Sequence, residues 1–153
     1  MWGFIDTHGE TAVAVRFENV GHFAGGVAPV RLNGKWGFVN RKDSLIIAPR
    51  FDNARAFSDG RALVQVGSQW GFIDSTGAVV IPPRFDEVSM FSEGLAAARF
   101  GDKWGFIDRN GATVIPPTFD SAYGFSRGRA LVITAGKHAY IDRHGDPATG
   151  QAR

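Results

Sequence analysis

The chain has 153 residues, 44% of them hydrophobic, with thirteen Phe and four Trp, which is enough apolar area for one compact array stabilised largely by aromatic side chains. Seventeen basic residues against fifteen acidic ones leave a formal charge of +2 and no contiguous Lys/Arg run, so neither nucleic acid nor an anionic membrane is expected as a partner. The absence of cysteine excludes disulfides, Cys metal sites and a Cys nucleophile and leaves the compartment undetermined. No apolar stretch has spanning length and no signal peptide is recognisable, so no membrane insertion is expected.

The chain opens with Met1-Trp2-Gly3, directly inside a repeat, as a fragment of a longer array would. Trp2, Trp36, Trp70 and Trp104 recur every 34 residues, and the next step falls on His138 in His-Ala-Tyr-Ile-Asp, a degraded copy of Trp-Gly-Phe-Ile-Asp. Phe17, Phe51, Phe85 and Phe119 form one column, Phe23, Phe57, Phe91 and Phe125 a second, and Gly26, Gly60, Gly94 and Gly128 a third, with no insertions. The first repeat lacks the later Pro-Pro pair and carries Val13-Ala14-Val15 instead.

Before each Trp strand stands a two-residue turn: Asn33-Gly34, Gly67-Ser68, Gly101-Asp102 and Ala135-Gly136. Such dipeptides suit type I′ or II′ hairpins, because positive φ costs Gly little and Asn tolerates it. Counting outward from the turns places Trp36 opposite Arg31, Trp70 opposite Gln65, Trp104 opposite Arg99 and His138 opposite Ile133. Phe38, Phe72, Phe106 and Tyr140 then share the Trp face. On the other face Val64 meets Gly71, and Ala62 meets Ile73. The Gly after each Trp is expected to admit close approach by a neighbouring repeat.

The Trp strand ends in turns such as Asp6-Thr7-His8-Gly9 and Asp74-Ser75-Thr76-Gly77, where Asp bonds forward to backbone N–H groups. A third strand, typified by Ala78–Ile81, runs into Pro82-Pro83, which places it at a sheet edge because proline donates no ladder bond. A connector of the type Arg-Phe-Asp…Phe-Ser-x-Gly leads to the next copy. The predicted fold is therefore all-β: tandem repeats, each a three-stranded antiparallel meander, stacked in an open curved array. A closed propeller-like ring is the alternative, disfavoured because the two chain ends do not complement each other. The array covers residues 1–145, with four full repeats and a truncated fifth from His138, and residues 146–153 form a polar tail expected to be poorly ordered. The edge strands left by incomplete copies make end-to-end self-association an expectation.

Lys103-Trp104-Gly105-Phe106-Ile107-Asp108, Val-Ile-Pro-Pro at 80–83 and 114–117, and Phe91-Ser92-Glu93-Gly94-Leu95-Ala96 resemble the WG, or KWG, repeat family of bacterial proteins. The resemblance extends over nearly the whole chain, to about Gly145. It implies a β-rich array acting in binding or scaffolding and supplies no catalytic residue. The sequence departs from the pattern in the first repeat, at Asn40 and Asp43 in the second turn, and at His138, so these places are the least secure.

The four histidines, His8, His22, His138 and His144, show no metal-ligand spacing, and His8 and His144 occupy an exposed turn position. Carboxylates recur at Asp6, Asp74, Asp108 and Asp142 and at Glu18, Asp52, Asp86 and Asp120. Equivalent residues in every repeat have equivalent environments, whereas an acid–base pair needs different ones, so turn and connector hydrogen bonding explains them better. No nucleophile elbow or phosphate loop is present. No cofactor is expected, and the chain reads as non-enzymatic.

What remains is a surface signal. Arg16, Arg50 and Arg84 repeat in register until Thr118 breaks the row, and Arg31 and Arg99 face Trp across hairpins, so a binding stripe is conceivable. The competing reading makes Trp part of the core, covered by Arg stems. Specificity is expected where repeats differ. The candidate binding surface is Arg50, Arg55, Arg61, Arg84, Arg99, Tyr123, Arg127 and Arg129, and the expected partner is another protein. The alternative is a carbohydrate or cell-wall glycan stacked on repeated aromatic rings.

Overall fold

The computed structural model describes residues 1–148. Among them every regular element is a β-strand: β1 (Trp2–Ile5), β2 (Thr11–Phe17), β3 (Asn19–Val20), β4 (Val27–Leu32), β5 (Lys35–Asn40), β6 (Leu45–Phe51), β7 (Asn53–Ala54), β8 (Ala62–Val66), β9 (Gln69–Ile73), β10 (Val79–Phe85), β11 (Leu95–Phe100), β12 (Lys103–Asp108), β13 (Thr113–Phe119), β14 (Ser121–Ala122), β15 (Ala130–Thr134) and β16 (Lys137–Ile141). They form five small sheets ordered β1-β2, β3-β4-β5-β6, β7-β8-β9-β10, β11-β12-β13 and β14-β15-β16, and none closes on itself. The chain divides into two compact units, Met1–Pro83 and Arg84–Arg153.

The Trp-Gly strands β5, β9 and β12 are central in their sheets, and the third strands β6, β10 and β13, which carry Pro49, Pro82-Pro83 and Pro116-Pro117, lie at an edge, where a missing N–H costs no ladder bond. The register is the one the turns dictate: Trp36 lies opposite Arg31, Trp70 opposite Gln65, Trp104 opposite Arg99 and His138 opposite Ile133. Asn33 and Gly34 take φ of 52° and 78°, the two positive values of a type I′ turn. The structure adds a strand to the meander. Two connector residues, as in β3 or β7, pair with the strand that precedes the hairpin, and in the third repeat this strand shrinks to the bridge between Val88 and Ala98.

The Gly of each Trp-Gly pair has a different role from the expected one. A Cβ on Gly37 would stand 2.4 Å from the Ile47 carbonyl oxygen and 2.7 Å from the Pro49 nitrogen, so the close approach comes from the same repeat's own third strand. The cause is a bulge. Trp36 pairs with Phe51 and Phe38 with Ile47, so the extra residues of β6 arch across Gly37.

The connector also hides a second tight turn. In Ser58-Asp59-Gly60-Arg61 and Ser126-Arg127-Gly128-Arg129 the first and fourth residues exchange backbone hydrogen bonds. The central pairs take φ of 55° and 73°, and 53° and 77°, again type I′.

The cores join consecutive sheets. In the first unit Val13 and Phe17 pack with Ala28, Val30 and Val39, while Phe38, Ile47 and Phe51 pack with Phe57, Val64 and Ile73. In the second unit Phe106 and Ile115 pack with Phe125, Val132 and Ile141. One ring contact recurs edge to face: Phe4 on Phe23 at 4.6 Å, Phe38 on Phe57 at 5.3 Å and Phe106 on Phe125 at 5.0 Å between centroids. Each buried Phe stabilises by roughly 1.5–3 kcal/mol, so this column carries much of the fold.

The recurring carboxylates are occupied by the backbone. Asp6, Asp74, Asp108 and Asp142 each accept from the N–H groups two and four residues onward, at 2.8–3.1 Å. Asn40 does the same with its amide oxygen, so the atypical second turn is retained, with Asp43 taking φ of 62°. Asp52 and Asp120 brace the hairpins by accepting from Lys35 and the Gly67 N–H, and from Lys103 and the Ala135 N–H. Beyond Gly145, where the array was expected to end, Asp142 N–H donates to the Asp146 carbonyl and Ala148 N–H to that of Tyr140. Residues 149–153 of the expected tail lie outside the described residues.

These bonds hold the carboxyls below their ordinary range: at Asp74 chiefly through the Thr76 hydroxyl, at Asp52 and Asp120 through Lys35 and Lys103, and at Asp142 through the His144 N–H. A depressed folded pKa contributes stability that is complete above the unfolded value near 3.8 and is lost as pH falls through the folded one. The urea midpoint should therefore drop between pH 5 and pH 2 (about this window, by the ordinary carboxyl range). Asp74→Asn should flatten that slope while keeping the turn, as Asn40 does. An unchanged acid slope in that variant would show that Asp74 contributes nothing to it.

Candidate binding cleft

The eight residues of the predicted surface divide by what they touch. Arg50 and Arg84 are ties between repeats: each stacks on the next residue's ring, Phe51 at 4.9 Å and Phe85 at 5.0 Å. Each also donates Nη2 to a turn carbonyl 27 residues onward, Gly77 at 2.6 Å and Gly111 at 2.9 Å. Arg16 does the same with Phe17 and Asp43. Arg99 pairs with Glu87 at 3.4 Å and donates to the Gly101 carbonyl. Arg55 covers the Trp70 ring at 5.7 Å, and Arg61 donates to the Gly60 carbonyl. Trp36 and Trp104 pack against the cores, whereas Trp2 is 58% exposed.

The structure brings the other three together. Tyr123, Arg127 and Arg129 line an open cleft of about 500 Å³ with Ser126, Leu131 and Tyr140. Local geometry explains the gathering. Arg127 stands at the tip of the type I′ turn and Arg129 at its end, so both guanidinium groups start from one four-residue loop. Tyr123 follows β14, its N–H bonded to the Leu131 carbonyl, and is 53% exposed. Leu131 lies directly opposite Tyr140 across the β15–β16 pair. Arg129 stands over the Tyr140 ring at 6.0 Å, an attraction of about 0.5–1 kcal/mol at an exposed position.

The lining holds two cations and no carboxylate. The Arg127 guanidinium and both phenol hydroxyls make no hydrogen bond or ion pair among the described residues. The cleft therefore offers positive charge, two phenols and an aromatic floor to a bound group. It could not be assembled from sequence because Tyr140 belongs to the column in which Phe38, Phe72 and Phe106 are buried and Phe4 packs, partly buried, against a core. The signal available was chemical: Tyr where the other copies have Phe.

The family model described as a WG containing repeat matches residues 2–36, 36–70, 70–104 and 104–137. The chain belongs to the WG-containing repeat family. No curated protein gives a significant match to it. Among solved structures, the computationally designed Ika4 protein is similar in fold, with a TM-score of 0.56 at 11% identity over 88% of this chain and 98% of that one. The extracellular domain of a putative one component system from B. thetaiotaomicron aligns with a TM-score of 0.48 and 14% identity over 93% of this chain and 24% of its own. A plant albumin from Cicer arietinum showing hemagglutination reaches a TM-score of 0.33 at 14% identity, over 86% of this chain and 91% of that one. The cleft lies in the last complete WG repeat and the copy after it.

Proposed function

We propose that this chain is a non-catalytic WG-repeat module that binds another protein, and that the Tyr123–Tyr140 cleft receives an acidic segment of that partner. The observation that carries the reading is the cleft's composition: Arg127, Arg129, Tyr123 and Tyr140 around one opening, with no carboxylate in the lining. Arg and Tyr are the side chains that most often concentrate binding energy at protein interfaces. The non-catalytic reading draws support from the carboxylates, which cap turns or brace hairpins in successive repeats.

A Glu-rich synthetic peptide, titrated by fluorescence anisotropy, tests this directly. Arg127→Ala and Arg129→Ala should each weaken binding about tenfold, or ~1.4 kcal/mol, and added salt should weaken it further. Equal affinity in the doubly substituted protein would remove the cleft from the interaction. Saturable binding of a neutral glycan, protecting the Trp residues from quenching, would favour sugar recognition instead.

A further inference from the structure

We infer that the chain carries a further site, distinct from the cleft: a pocket beside Phe119 that binds a small molecule through an aromatic ring. The pocket has a volume of about 510 Å³ and is lined by Phe119 together with Val132, Thr134, Ala139 and Ile141, a size and apolar character ordinary for small-molecule sites. Along β15 and β16 these residues alternate with Leu131 and Tyr140 of the cleft, so they lie on the other face of the hairpin. Tyr140 borders both openings.

One period earlier in the same unit, the corresponding place is filled by the chain itself. Phe100 packs edge to face on Phe85, with 5.6 Å between centroids and 87° between planes. The Arg84 guanidinium stands over the same Phe85 ring at 5.0 Å, and Phe85 is 2% exposed. Moving one period onward turns Phe85, Phe100 and Arg84 into Phe119, Thr134 and Thr118. The receiving ring is kept, while both groups that cover it become threonine. Arg16 and Arg50 cover Phe17 and Phe51 in the same way, so Thr118 is a departure from the pattern of the array.

A further difference lies on the same face. A Cβ on Gly105 would stand 2.5 Å from the Ile115 carbonyl oxygen, because the arch of β13 rests on that side of β12. Ala139 occupies the Gly105 position and carries that carbon itself, so a methyl lines the pocket there in place of an arch. Phe119 is accordingly only partly buried where it packs against the core of the second unit. The opening thus follows from the identities of residues 118, 134 and 139, which all belong to the chain. Residues 149–153, Thr-Gly-Gln-Ala-Arg, carry no ring that could take the place of Phe100. What suits the pocket is a ring set edge-on to Phe119, since paired rings attract one another beyond what burial alone supplies.

The methyl groups of Val132, Thr134, Ala139 and Ile141 report on such a ring directly, because its ring current shifts their resonances. The probes are benzyl alcohol and cyclohexylmethanol, which differ in whether the ring is aromatic, titrated onto the full methyl-labelled chain. Benzyl alcohol should shift these resonances to saturation, and cyclohexylmethanol should bind about tenfold more weakly or worse. Thr134→Phe restores the ring of the preceding copy at an exposed position. It should reproduce the ring-current shifts without any ligand and weaken benzyl alcohol binding at least about tenfold. Thr118→Arg, which restores the cover over the Phe ring, should weaken binding in the same direction. Equal affinity for the two alcohols would make the pocket a general apolar surface and overturn the ring. Undiminished binding in Thr134→Phe would place the ring elsewhere, and the absence of a saturable shift would mean that there is no site. Trp2 is 58% exposed, so resonances that move on dilution of the protein alone, and cease to move in Trp2→Ala, would identify a ring of a second copy as the occupant and overturn the small-molecule site.

Discussion

Gly37→Ala is expected to lower the unfolding free energy by at least about 3 kcal/mol, at the upper end of what overpacking costs. The added methyl carbon would meet the Ile47 carbonyl oxygen at 2.4 Å, the Pro49 nitrogen at 2.7 Å and the Ala48 carbonyl carbon at 2.9 Å. All three are backbone atoms of the arched β6, so no side chain can swing aside, and the bulge would have to open. Gly71 and Gly105 face the same three kinds of atom and should respond alike. Gly124 has nothing within 4 Å of an added Cβ, so Gly124→Ala should stay within about 0.5 kcal/mol of the parent. Urea unfolding of the four variants checks this. A Gly37→Ala midpoint equal to that of Gly124→Ala would show that the arch yields freely.

Phe38→Ala should cost about 3–5 kcal/mol. Phe38 is fully buried, sits in the core shared by two consecutive sheets and meets Phe57 edge to face. Its removal leaves a cavity on both sides of the junction between repeats and forfeits the ring pair, worth about 0.5–1.5 kcal/mol beyond burial. Against a total of about 5–15 kcal/mol for a folded domain, that is a large share. Phe38→Leu should recover more than half of the loss, and a Phe38→Ala protein with an unchanged urea midpoint would mean that this junction does not limit stability.

The parts of the fold legible in the sequence are those fixed by local chemistry. Asn33-Gly34 and its counterparts set each hairpin, and a two-residue turn leaves one register, so the partners of Trp36, Trp70 and Trp104 follow by counting. The short strands β3, β7 and β14 are two residues long and begin with Asn or Ser, which leaves no period to detect. The bulge over Gly37 depends on where β6 bends, and a Gly on a strand does not say which backbone approaches it. The Asp59-Gly60 pair does carry a turn signal, but the neighbouring copies, with Glu93 and Arg127 at the same place, obscure it.

The candidate site was partly legible for a similar reason. Internal comparison picks out Tyr123, Arg127 and Arg129 because their columns vary from copy to copy. Arg50 and Arg84 recur in register, and that regularity is the mark of a tie between repeats, not of recognition. Tyr140 could not be assigned to the cleft because its column is otherwise interior.

The ties also explain why the period tolerates no drift. Arg16 to Asp43, Lys35 to Asp52 and Arg50 to Gly77 overlap along the first unit, as do Arg84 to Gly111, Lys103 to Asp120 and Asp120 to Ala135 along the second. An extra residue anywhere within these spans pulls at least one bond out of alignment. Loops elsewhere absorb insertions because little depends on their length, but here the loops are part of the ruler. Such a chain diversifies by exchanging side chains at constant length, or by gaining and losing whole copies.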